Sequence, residues 1–86
     1  MSKISTMVIV LGNRVDTAPQ LQSILTKYGC QIKARLGLHE GTEDRCTNHG
    51  VIFLQLAGAD ESLKALETEL NAVSGTKAKL VQISLD

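Results

Sequence analysis

From Ile4 to Leu11 the chain reads ISTMVIVL, β-branched or aliphatic almost throughout, and it halts at Gly12-Asn13. That pattern predicts a strand buried on both faces. The period then lengthens. Leu21, Ile24, Leu25 and Tyr28 recur at i, i+3, i+4 and i+7, one face of a helix. Thr17 and Gln20 have capping-box spacing, Pro19 suits a first helical turn, and Gly29 stands where the helix should end. In CQIKARLGLHE the period drops to two, with Ile32, Ala34, Leu36 and Leu38 on the core side and Lys33, Arg35, Gly37 and His39 on the other. Cys30 shares the parity of Ile32 and is expected in the core. GVIFLQLAG resumes the period of two, Ile52, Leu54 and Leu56 against Val51, Phe53 and Gln55. Asp60 offers an N-cap and Glu61 suits the positive end of a helix dipole. Leu63, Leu66, Leu70 and Val73 form the second helical stripe, Gly75 closes it, and KAKLVQISL is the last strand.

The order β-α-β-β-α-β is the split βαβ arrangement of the ferredoxin-like class, an α+β fold. It predicts a four-stranded antiparallel sheet with two helices on one face, in a single domain spanning residues 1–86. The other face has no cover from the chain itself. Val51, Phe53 and part of Met7–Leu11 fall there. A bare apolar face is unusual on a monomer, so self-association is expected, face to face or edge to edge, with Val51 and Phe53 in the interface.

Charge narrows the classes further. Nine basic residues balance nine acidic ones, a formal net charge of zero. This gives no electrostatic footprint for nucleic acid or an anionic membrane, and no recognition helix precedes the first strand. The apolar run near the N-terminus is too short to span a bilayer and lacks a cleavage pattern, so a cytoplasmic protein is expected. Cys30 and Cys46 are far apart and expected to be free thiols. No nucleophile stands beside a base, and no carboxylate pair has an evident cleft, so an enzyme is not expected.

The stretch HEGTEDRCTNHG, His39 to Gly50, holds the concentrated chemistry. His39, Cys46 and His49 carry ligand atoms suited to a transition metal such as zinc, nickel or copper. Alternation puts both histidines on the uncovered face. The spacing matches no finger motif, and a polar connection between two strands is the competing reading.

VIVLGNRVDTAPQLQSILTKYGCQIKARLGL and GVIFLQLAGADESLKALETELNAVSGTKAKLVQIS together resemble the iron-only hydrogenase system regulators over nearly the whole chain. ARLGL, GVIFLQLAG with the following D-x-x-x-x-L, and L-x-x-V-S-G-T-K-A-K carry the resemblance. It implies an ACT-like domain, similar to the C-terminal domain of nickel-responsive repressors, that assembles as an oligomer. It also implies a regulatory role in hydrogenase or redox metabolism. The leading expectation is a non-enzymatic regulatory or ligand-sensing oligomer; the alternatives are a metal-binding module using the β2–β3 hairpin, with zinc or nickel, and a domain that only binds a protein partner. HEGTEDRCTNHG is longer than the corresponding stretch of that family. GNRVDTAPQ lacks the D-x-P-G turn of amino-acid-binding ACT domains.

Overall fold

Period-two segments become strands and period-3.6 segments become helices in the order β1 (Lys3–Leu11), α1 (Arg14–Lys27), β2 (Ile32–Thr42), β3 (Arg45–Leu56), α2 (Asp60–Asn71) and β4 (Thr76–Ser84). The computed structural model describes the main chain of residues 3–12, 14–42 and 45–85, and the side chains of residues 3–12, 18–37 and 50–85. The strands form one antiparallel sheet in the order β2-β3-β1-β4. With two helices on one face, this is the ferredoxin-like βαββαβ fold.

The core lies between sheet and helices. Met7, Ile9 and Leu11 of β1 meet Ile52, Leu54 and Leu56 of β3, and Leu21, Leu25, Leu63, Leu66 and Leu70 close over them from α1 and α2. Ile24 and Tyr28 pack at its margin. Between α2 and β4, the Thr76 N–H donates to the Val73 carbonyl at 3.1 Å, with Gly75 at φ 77°. A positive φ at the third turn position is a glycine conformation. The Gly12 N–H reaches the Gly75 carbonyl at 2.7 Å and ties the end of β1 to this turn.

Several expectations need correction. β1 is not buried on both faces: Met7, Ile9 and Leu11 are covered, while Ile4 and Val10 are about half exposed. A strand under one helical layer can bury one row of side chains, however apolar the other row is. Helix α1 begins at Arg14, so Pro19 sits inside it rather than in its first turn. At the start of α2 the N-cap is Ala59, without a side-chain cap bond, and Asp60 lies in the first turn. Cys30 is exposed, because a short 3-10 turn, Gly29–Gln31, separates α1 from β2 and the strand's alternation does not extend back to it.

The phase of β2 is the most consequential difference. Ile32 stands opposite Leu56, but a register shift between Ile32 and Ala34 sets Ala34 opposite Gln55, Arg35 opposite Leu54 and Leu36 opposite Phe53. One extra residue reverses every following side chain. Ala34 and Leu36 therefore lie on the uncovered face. Arg35 lies on the helix side, where its Nη1 donates to Gln22 Oε1 at 3.2 Å.

Candidate functional site

Alternation along the central strands puts one row of each on the face away from the helices. Phe53 stands between Leu36 of β2 and Val8 of β1, and Val51 is paired with Val10. Thr6 lies between Gln55 and Val81, and Ile4 opposite Ile83. Phe53 is 42% exposed, Val10 48%, Leu36 57% and Ile83 61%. Large apolar side chains at such exposure, contiguous across four strands, form a patch rather than a scatter. A depression of about 400 Å³ runs through it, lined by Thr6, Val8, Ala34, Leu36, Phe53 and Gln55 among others. The Thr6 hydroxyl within the patch is engaged, donating to the Val81 carbonyl at 3.2 Å. Lys77 and Lys79, opposite Val10 and Val8, put basic residues on the β4 side.

The β4 margin of the sheet is closed from the other side. Asn71 of α2 accepts from the Ala78 N–H at 2.9 Å and donates to the Ala78 carbonyl at 2.9 Å. Glu67 Oε2 accepts from the Leu80 N–H at 2.6 Å. Two helix side chains thus take main-chain groups that a neighbouring strand would otherwise bond.

Two clusters of charged groups fasten the helices. Lys3 donates to Asp60 at 3.1 Å, and Gln82 bridges Asp60 at 2.8 Å and Ser5 Oγ at 3.1 Å. The Gln82 and Lys3 bonds hold the Asp60 carboxyl below its usual range. On the far side of α2, Tyr28 and Lys27 both donate to Glu69. Those bonds, that of Tyr28 first, lower the Glu69 carboxyl, and the same carboxylate raises Lys27 and Tyr28. These groups join α1 to α2 and α2 to the sheet, with no substrate-facing arrangement among them.

For the expected metal ligands the main chain is informative. The stretch read as a connection continues as paired strand, His39 opposite Gly50, Gly41 opposite Cys46 and Thr42 opposite Arg45. Register shifts fall in β2 before Ala34 and again between His39 and Gly41. The side chains of His39, Cys46 and His49 lie outside the described residues. Among the described residues no group of three or more His, Cys, Asp or Glu is placed to hold a metal ion. Alternation assigned Ala34, Arg35 and Leu36 to the wrong faces; the bulge carried no signal in the local composition.

The chain is similar over its length to solved structures. It matches the uncharacterized protein TM1266 from Thermotoga maritima at TM-score 0.81 and 25% identity, over 96% of this chain and 100% of that one. It matches the ACT domain of GTP pyrophosphokinase from Chlorobium tepidum at TM-score 0.63 and 16% identity, over 98% and 90%. CPII from Thiomonas intermedia K12, a nitrogen regulatory PII-like protein bound to ADP, AMP and bicarbonate, matches at TM-score 0.58 and 14% identity, over 99% and 97%. The fold is therefore ACT-like. No protein-family model and no curated protein matches the chain. Among the described residues no helix is long and apolar enough to cross a membrane.

Proposed function

We propose that this chain is a small non-enzymatic regulatory module that senses a small molecule and works as a homo-oligomer assembled through the uncovered face of its sheet. The observation that carries the assembly is the contiguous row of exposed Leu36, Phe53 and Val10 beside Val8 and Val51. Four strands about 4.8 Å apart and about 30 Å long present a flat area of about 600 Å². With side-chain relief that is of the order a specific interface takes from each partner, about 800 Å². Closure of the β4 margin by Asn71 and Glu67 favours the face over that edge.

Sensing rests on the fold, by analogy. ACT and PII-like proteins share it, and the CPII protein holds nucleotides and bicarbonate. Control of hydrogenase or redox metabolism, in the cytoplasm, belongs to the same proposal and is supported by the sequence resemblance through ARLGL and GVIFLQLAG. Association of folded chains makes the melting temperature depend on protein concentration. A melting temperature that climbs with chain concentration, and shifts further with a bound metabolite, supports the reading. A concentration-independent melt contradicts it.

A further inference from the structure

The side chains of the uncovered face are not evenly sized. One row across the sheet is Leu36 of β2, Phe53 of β3 and Val8 of β1. The neighbouring row, two residues along each strand, is Ala34, Gln55 and Thr6. Residues two apart on a strand stand about 7 Å apart on one face. The first row is a ridge, with Phe53 and Leu36 both prominent and exposed. The second is a groove: Ala34 is short, Gln55 and Thr6 are half-buried, and the Thr6 hydroxyl is bonded to the Val81 carbonyl. Both rows line the depression of about 400 Å³.

A ridge and a groove side by side, crossing the same strands, make a surface complementary to itself. We infer that two copies of the chain pack face to face about a twofold axis that crosses the strands between the two rows, along the line of Met7, Leu54 and Arg35, so that each ridge seats in the other copy's groove. Such an axis reverses strand direction and keeps each strand opposite its own equivalent. Leu36 then meets the partner's Ala34, Phe53 the partner's Gln55, and Val8 the partner's Thr6. Each pairing sets a large side chain against a smaller or recessed one, and twofold symmetry repeats it. A twofold axis along the strands instead sets ridge on ridge and leaves both depressions empty between sheets that should pack about 10 Å apart. Unfilled space of that size forfeits contacts for every group lining it. Lys79, opposite Val8 at the β4 end of the ridge, lies over the partner's Val81, so the two lysines are not opposed. The face has an area of the order a dimer takes from each copy, about 800 Å², and needs no other occupant. This rests on the reading of the chain as a homo-oligomer assembled through this face, and it adds the symmetry and register of the contact.

Phe53 is the chain's one phenylalanine, so its ring protons are unambiguous. The test is an isotope-filtered NOE experiment on assemblies mixed from labelled and unlabelled full-length chains, which reads contacts between copies alone, with sedimentation of Ala34→Phe as a second probe. The Phe53 ring should show contacts between copies to the methyls of Ala34 and Thr6 and the methylene protons of Gln55. Ala34→Phe fills the groove. It should leave the far-ultraviolet circular dichroism unchanged, because Ala34 is exposed, and weaken association about tenfold or more, the effect of overpacking a fitted contact. Contacts from the Phe53 ring to the Val8 and Leu36 methyls in place of those expected show ridge on ridge and overturn the register. Unchanged or tighter association of Ala34→Phe overturns it as well. Both results leave assembly through the face standing. A wild-type monomer, or an assembly in which the Phe53 ring makes no contact between copies, overturns the register together with the reading of the face.

Discussion

Leu66 has no exposed surface and sits among Leu63, Leu70 and the strand residues Met7 and Ile9. Its truncation leaves a cavity that a single helical layer cannot collapse. Leu66→Ala should lower the unfolding free energy by about 2–5 kcal/mol, read from urea midpoints at unchanged slope. The charged residues act at the surface and weigh less. Asp60 and Glu69 have folded pKa values below their unfolded ones, so their contribution is complete above the ordinary carboxylate range of about 4. It is lost as pH falls through the lowered values. Lys27 and Tyr28 are raised, so theirs is complete below about 10 and lost as pH rises through the raised values. Urea midpoints should hold steady between these limits and fall outside both. Asp60→Asn with Glu69→Gln should flatten the acid limb, and an acid limb unchanged by that pair would remove these carboxylates from the account.

At the level of elements, α2 does two jobs with two faces. Its leucines fill the core, and Glu67 and Asn71 occupy the outward main-chain groups of Ala78 and Leu80. Removing both side chains should expose the β4 edge to pairing between molecules. The double variant Glu67→Ala, Asn71→Ala should scatter light increasingly with concentration under conditions where wild type does not. Equal scattering by both would show that the edge is protected by something else. Helix stripes and strand periods in this chain were legible because each buries a regular row: Leu63, Leu66, Leu70 and Val73 needed no tertiary information. The bulge in β2 was not legible. It arises from how β2 meets β3, and it moved Ala34 and Leu36 to the uncovered face and Arg35 beneath α1. The exposure of Cys30 was missed for a related reason, an added 3-10 turn that broke the parity leading back from Ile32.

For the whole molecule the decisive feature is asymmetry: one sheet face is sealed by helices and the other presents Leu36, Phe53, Val10, Ile4 and Ile83 to its surroundings. A formal net charge of zero adds no general repulsion to oppose contact between copies. Phe53 sits at the middle of the patch, flanked by Leu36 and Val8, so a charge there strikes the interface while leaving the helix-side core untouched. Sedimentation velocity across the micromolar range, on wild type, Phe53→Glu and Leu36→Glu, tests this most directly. The account predicts a wild-type dimer or larger assembly, and a shift of both variants toward folded monomer with the far-ultraviolet circular dichroism retained. A wild type that sediments as a monomer throughout, or variants that assemble as wild type does, would contradict it.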